Sequence, residues 1–359
     1  MSIIQTRIFY ISIIFVVYLI FATAEKKTTI FTIKAINSHT FNLSRDIFWL
    51  IGITVLVIPL VQRNCGADTP VYYFDYEHDR MYNFDIAFPY LLQFLHLFIP
   101  NAKVGLGIVS TLTVCIALIS IIHSRDNVDL PLAIFAYCTQ LYFYSYNYMR
   151  MMFAVSFIIM GYSLIIQGKR ILCTIPFLIA PFFHLSSLIV LIIHFSVLFF
   201  ESHKRIVILM YGIISFLFLS SPGYWLSLIS IERYSEYINN ATYGLKAIGV
   251  GTLIKAAPII YIFSKYYISY YKEHIYTWIV IFTIGNILFS FIGYFVGVAS
   301  RISNFLLVFH IIYGVPWIIK RENRKNIEQQ LRIFYILYCI LLYYNLSRNF
   351  ERMMIVPYY

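Results

Sequence analysis

The stretch Ile171-Leu-Cys-Thr-Ile-Pro176-Phe-Leu-Ile-Ala-Pro181-Phe-Phe-His184-Leu-Ser-Ser187-Leu-Ile-Val-Leu-Ile-Ile-His194-Phe-Ser-Val-Leu-Phe-Phe200 decides the class of the fold, because it carries no Asp, Glu, Lys or Arg from end to end. As one helix rising about 1.5 Å per residue it would be about 45 Å long, against a bilayer core of about 30 Å. Pro176, Pro181, His184, Ser186 and Ser187 interrupt it, and an internal proline both removes a helix hydrogen bond and crowds the preceding turn. The stretch therefore reads as two shorter helices that meet near Phe183 and His184, a broken or re-entrant element. Such breaks are tolerated at membrane depth only where protein or a water-filled cavity lines them.

The rest of the chain has the same character. Its 359 residues are 60% apolar and only 12% charged, with a mean hydropathy of +0.76, whereas a soluble domain carries about 25% charged residues. Further apolar runs fall at about 8–24, 47–61, 104–122, 130–146, 151–167, 206–221, 250–268, 275–299, 302–319 and 333–346, each read as a helix because only helices and closed barrels satisfy every backbone group in hydrocarbon. None alternates as a barrel strand would. The expected fold is an all-α polytopic membrane protein of about 11–12 transmembrane helices, a single integral membrane domain over residues 1–359 with external loops at 62–103 and 222–249. Ala22-Thr23-Ala24 has the look of a signal-peptidase site, but only Arg7 precedes the run while Lys26 and Lys27 follow it. That is the reverse of a signal peptide, so a retained first span with an external N-terminus is expected.

A net charge of +11 would suggest nucleic acid in a soluble protein. Here most of the excess falls in the connections assigned to the inner side, as the positive-inside rule requires, and no nucleic-acid partner is expected. Cys65, Cys115, Cys138, Cys173 and Cys339 form no paired motif, so neither a disulfide nor a metal site is expected.

The charges that topology does not absorb face outward. After the second span the chain reads Arg63-Asn-Cys-Gly66-Ala-Asp68, then Tyr72, Tyr73, Asp75, Glu77, Asp79 and Asp85. Phe88 to Phe98 follows, too short to span and read as an interfacial or re-entrant helix. Arg150 and Arg301 stand alone between apolar runs at the outer ends of their helices. Each is either a helix-end arginine held at the headgroups or part of an outer-leaflet anion pocket, where guanidinium groups grip phosphate oxygens in a bidentate fork. Three arginines, Asp68 and a broken helix on one side favour the pocket. His184 either caps the exposed backbone of the break or serves as a general acid or base. His96, His194 and His310 read as structural. Outward tyrosines such as Tyr72 and Tyr73 suit stacking on sugar rings.

Taken in order, these features resemble the EpsG-like family of Wzy-type polysaccharide repeat-unit polymerases. The resemblance is carried by Arg63-x-x-Gly66-x-Asp68 with Tyr72, Asn147-x-x-Arg150-x-x-x-Ala154, Phe183-His184-x-Ser186, Arg301-Ile-Ser and the terminal Val356-Pro-Tyr358. The chain departs from the family's pattern at Asp85-Ile-Ala-Phe-Pro and at Arg150-Met151. What the resemblance implies is a glycosyltransferase at the outer face of a bacterial cytoplasmic membrane, joining oligosaccharide repeat units carried on undecaprenyl diphosphate, and whether a chain-length regulator is a partner stays open. The product would be an O-antigen, capsule or exopolysaccharide. On that footing Arg150 and Arg301 hold the diphosphate, Arg63 joins them or orients Asp68, and Asp68 or His184 is the base. No cofactor is implied. Two other readings remain open: a different lipid-linked-sugar glycosyltransferase or ligase, for which Asp75, Glu77 and Asp79 would supply an acidic pair, and a polysaccharide-lipid flippase or transporter.

Overall fold

The computed structural model describes residues 3–26, 32–34, 40–62, 66, 68–78, 86–200, 206, 209–210, 213, 250–295, 299–351 and 353–355. The chain divides into two compact units, Met1–Leu185 with Pro316–Tyr359, and Ser186–Val315. The first unit contains α1 (Ile3–Lys26), α2 (Leu43–Val61), α3 (Thr69–Glu77), α4 (Ala87–Phe98), α5 (Ala102–His123), α6 (Leu130–Gln140), a 3-10 turn at Tyr142–Tyr146, α7 (Met149–Ile166) and α8 (Thr174–Phe183). Between α1 and α2 lies a small antiparallel ladder, β1 (Thr32–Lys34) on β2 (Thr40–Asn42), with Ile33 opposite Phe41.

The second unit contains α9 (Leu188–Phe200), α10 (Val250–Tyr270), α11 (His274–Phe295), α12 (Ala299–Val308) and a π-helical segment, Phe309–Gly314. The chain then returns to the first unit through α13 (Val315–Arg321) and α14 (Lys325–Ser347). Pro316 has a physical connection with the π segment before it. In a regular helix its ring would press on the carbonyl four residues earlier, and a locally widened helix removes that conflict.

Four helices among the described residues are long and apolar enough to cross a membrane: Ile3–Lys26, Ala102–His123, Met149–Ile166 and Ile302–Arg321. The chain is an all-α polytopic membrane protein. The break expected in 171–200 is found where the prolines and His184 put it, as α8, a 3-10 turn at Leu185–Ser187, and α9. The short helix expected near Phe88 is α4, with Phe88 and Leu92 buried while Phe94, Leu97 and Phe98 are exposed. The expected span at 206–221 lies almost wholly outside the described residues, and the loop 222–249 entirely so.

The run 130–146 differs from a lipid-facing span. Its α-helical part is only the eleven residues of α6, all of them buried, and the chain then tightens into the 3-10 turn. Protein contacts and not lipid surround it, since α1, α5 and α14 all pack on α6. α3 is a second difference, since it lies in the segment expected as external loop 62–103. It starts at Thr69-Pro70, and proline in a first turn has no hydrogen bond to lose.

Polar caps fix both ends of this unit. Asn101 Oδ1 accepts from Val104 N–H at 3.1 Å to start α5, and Asp129 Oδ1 accepts from Leu132 N–H at 3.2 Å to start α6. At the end where α5 finishes and α6 begins, the expected inner charges gather. The guanidinium groups of Arg45 and Arg125 lie 4.6 and 5.0 Å from the Trp49 ring centre, and Glu25 feels Lys320, Arg45 and Arg125. The α6 cap itself, Asp129, is 6% exposed, and its second carboxylate oxygen is 2.5 Å from Arg332. Arg332 also reaches Glu328 at 2.9 Å.

Burial pushes the Asp129 carboxyl up from its ordinary value, and Arg332 opposes that shift most strongly. Removing the arginine would leave the buried carboxylate without its ion-pair partner, with Lys320 as a weaker countercharge, so Arg332→Ala is expected to lower stability by about 3 kcal/mol. Thermal unfolding in detergent checks this. The paired change Asp129→Asn with Arg332→Leu is expected to recover much of the loss, because it removes both charges together.

The second unit is built on an α11–α12 hairpin, with the Asn286 amide donating to the Ser303 carbonyl at 2.7 Å. His194 is buried with its ring 5.3 Å from that of Trp278, and His310 is buried within the π segment. Both histidines thus sit in packed interior, in keeping with a structural role. Cys115, Cys138, Cys173 and Cys339 are free thiols, and Cys65 lies outside the described residues.

Candidate functional site

Two close approaches bring the outward motifs together at the other end of the first unit. α7 and α8 form an antiparallel hairpin whose contact includes Gly161, where a Cβ would come within 2.3 Å of the Phe177 ring. The hairpin returns the end of α8 to the start of α7. Phe183 meets Phe153 edge-on at 4.7 Å and stacks on Phe157 at 5.6 Å. Arg150, in the first turn of α7, and His184, just after α8, are therefore at the same end of the unit.

The second approach is the loop before α3. Gly66 has φ of +113°, which L side chains rarely adopt. A Cβ there would lie 2.3 Å from the Tyr146 carbonyl oxygen and 2.7 Å from Thr69 Oγ1. The loop closes on itself by Thr69 N–H donating to Gly66 C=O at 3.1 Å, and it docks on the chain before α7 by Thr69 Oγ1 donating to Tyr146 C=O at 3.3 Å. Asp68 is half-buried at the head of α3, and its carboxylate does not cap that helix.

From this docked loop Tyr72 reaches Arg150, whose Nε–H donates to the phenol oxygen at 3.4 Å. Tyr72 is 4% exposed, packed with Phe88, Leu106, Met149 and Phe153. Burial pushes its phenol up from the ordinary value, while Arg150 opposes the shift by charge and hydrogen bond. The hydroxyl thus stays protonated near neutral pH and helps fix the guanidinium. Tyr73, its neighbour, is half-buried at the edge of the same cluster.

Arg150 stands in an electrostatically costly place. The start of a helix carries partial positive charge, so a cation there is disfavoured by about 0.3–1 kcal/mol. A bound anion would reverse the sign of that interaction, since helix N–H groups and guanidinium would both face negative oxygen.

His184 is half-buried, with its backbone N–H bonded to the Ala180 carbonyl at 3.0 Å and an extended backbone that leaves the helix. Arg301 lies in the first turn of α12 in the second unit, and its side chain is outside the described residues. Arg63 and Asp85 are outside them altogether. The structure thus gathers Asp68, Tyr72, Tyr73, Arg150 and His184 in one unit. Three contributors were not among the candidate site residues: Thr69, Asn147, and the turn Met353–Met354, whose carbonyls accept from the Asn147 amide and the Gly66 N–H, both at 3.0 Å. Asn147 was visible only as a motif element, and the Met353–Met354 turn was in no motif; Val356-Pro-Tyr358, which follows it, lies outside the described residues.

Among the described residues no group of three or more His, Cys, Asp or Glu is placed to hold a metal ion. Comparison with protein families gives a match over residues 46–359 to the EpsG family. No curated protein matches the chain. No solved structure matches it either.

Proposed function

The chain belongs to the EpsG family and is a membrane protein of polysaccharide biosynthesis, and on that premise we propose that it is a repeat-unit polymerase that joins undecaprenyl-diphosphate-linked oligosaccharides at the outer face of a bacterial cytoplasmic membrane. The observation that carries this reading is the corner formed by the Gly66 loop, the start of α7 and the Met353–Met354 turn, with Arg150 held against Tyr72 at its centre. A corner of this kind has what the transfer needs, a fixed cation beside a helix start for a departing diphosphate.

In the proposed reaction an acceptor sugar hydroxyl attacks the anomeric carbon of the donor chain. The new C–O bond forms as the bond to the lipid diphosphate breaks, and the electron pair leaves with the diphosphate. Arg150 takes up the developing negative charge. His184 receives the hydroxyl proton, the role an imidazole fills near neutral pH. Asp68 is the alternative base, but a carboxylate among arginines loses basicity and is better suited to orienting a sugar hydroxyl. Tyr72 supports Arg150 from behind, which leaves Tyr73 as the tyrosine of the pair with ring surface available to a sugar.

Vesicles containing the purified protein and a defined lipid-linked repeat unit test the reading against its alternatives. The expected product is a series of longer glycans on the same lipid, with one lipid diphosphate released per linkage. Addition of a single sugar, transfer to a different acceptor, or movement of the lipid across the vesicle without lengthening would each contradict it.

A further inference from the structure

The chain end closes as a helix does. Met353 N–H donates to Asn349 C=O at 2.9 Å, Met354 N–H to Glu351 C=O at 3.0 Å and Ile355 N–H to Phe350 C=O at 2.9 Å. The last two bonds are the pattern of a Schellman turn, in which one residue takes a left-handed conformation usually given to glycine. That residue here is Met354, with φ of +49°, and it is the sole non-glycine residue with positive φ among the described residues. Packing does not account for it, since the Met354 side chain is 59% exposed. Phe350 anchors the turn instead, fully buried with ring contacts to Tyr10, Phe143 and Tyr343.

The strained turn aims two consecutive carbonyls at two different motifs. Met353 C=O accepts from the Asn147 amide and Met354 C=O from the Gly66 N–H, both at 3.0 Å. Asn147 is 3% exposed, and its Oδ1 atom has no hydrogen-bond partner among the described residues. A buried acceptor left unpaired is costly, so the side chain is held in this orientation by the tie to Met353.

We propose that the turn Phe350–Ile355 is a positioning staple, which sets the Gly66–Asp68 loop against the start of α7 and so fixes the distance between Asp68 and Arg150. Met354 and Asn147 are positioning residues that act through Asp68. The proposal rests on the site assigned above for its effect on catalysis, but the ties themselves are independent of the reaction.

The test uses the full-length protein. Met354→Pro forbids positive φ and removes the N–H bonded to Glu351. Amide hydrogen exchange over Gly66–Tyr72 is expected to accelerate about tenfold, as for loss of one backbone hydrogen bond and its turn. In the elongation assay kcat is expected to fall about tenfold with the donor KM changed much less, because Arg150 stays on α7. Met354→Gly, which keeps the left-handed turn, is expected to match the wild type in both. Asn147→Leu, which cuts one tie, is expected to shift both readouts the same way by a smaller factor, and it carries the test if Met354→Pro fails to fold.

Unchanged exchange at Gly66 overturns the staple whatever reaction the protein performs. Faster exchange with unaltered kcat overturns its positioning role. Since the exchange readout needs no substrate, a failure of the polymerase reading would leave it standing.

Discussion

Replacement of Arg150 by alanine is expected to abolish polymer formation, so that cells complemented with the variant show single repeat units in place of a ladder on a gel. The guanidinium is a cation fixed at this end of the first unit, held by Tyr72 at the start of α7. If it stabilises charge on a departing diphosphate, its loss should cost about a hundredfold to a thousandfold in kcat, the range for removal of one well-placed oxyanion donor. Arg150→Lys should fall between the two. It keeps the charge but loses the planar fork that grips two phosphate oxygens, so shortened ladders are expected. Arg150→Ala relieves an unfavourable cation at a helix start, worth about 0.3–1 kcal/mol, and leaves the buried Tyr72 hydroxyl without this bond, a cost of about 1–3 kcal/mol, so only a small drop in melting temperature is expected. Abolished activity in a variant that still unfolds cooperatively would separate this residue from one that merely holds the fold.

Gly66→Ala is the second substitution with a large expected effect. At φ of +113° an alanine is strained in any surroundings, and here its Cβ would meet a backbone carbonyl, that of Tyr146, at 2.3 Å. A side-chain tip could swing aside, but Tyr146 belongs to a buried 3-10 turn and cannot. The strain alone is about 1–3 kcal/mol, and the loop can relieve it only by lifting off α7, taking Asp68 and Tyr72 with it. Ladders are expected to shorten or disappear. Gly168 is the control, since it too has positive φ, +80°, yet nothing lies within 4 Å of its would-be Cβ. Gly168→Asn, which tolerates left-handed backbone, should leave polymerisation intact.

The parts of this fold that were legible in the sequence are those where composition and punctuation agree. The break at His184 could be read because two prolines and two serines interrupt an apolar run too long for one helix. α4 could be read because its run is too short to span. What the sequence did not disclose was contact between distant segments. The tie of Asn147 to Met353 joins residues 206 positions apart, and no periodicity or charge run announces it. The same holds for the Asp129–Arg332 pair, whose members belong to helices far apart in the chain. Residues 130–146 read as one more apolar helix, because a helix buried in protein and one facing lipid have the same hydropathy, and only its neighbours distinguish them.

The same limit explains Tyr72. As a residue type in an outer loop it suited sugar stacking, and its motif placed it beside Asp68. Its burial against Phe88 and its bond to Arg150 depend on α3 folding back onto α5 and α7, which a nine-residue polar segment does not advertise.

The most direct test of the account places wild-type protein and the Arg150→Ala variant side by side in lipid nanodiscs with one defined undecaprenyl-diphosphate-linked repeat unit, and follows glycan length over time. A growing ladder is expected from the wild type and unextended repeat units from a variant that still folds. A wild-type ladder from Arg150→Ala, or no lengthening by the wild type, would contradict it.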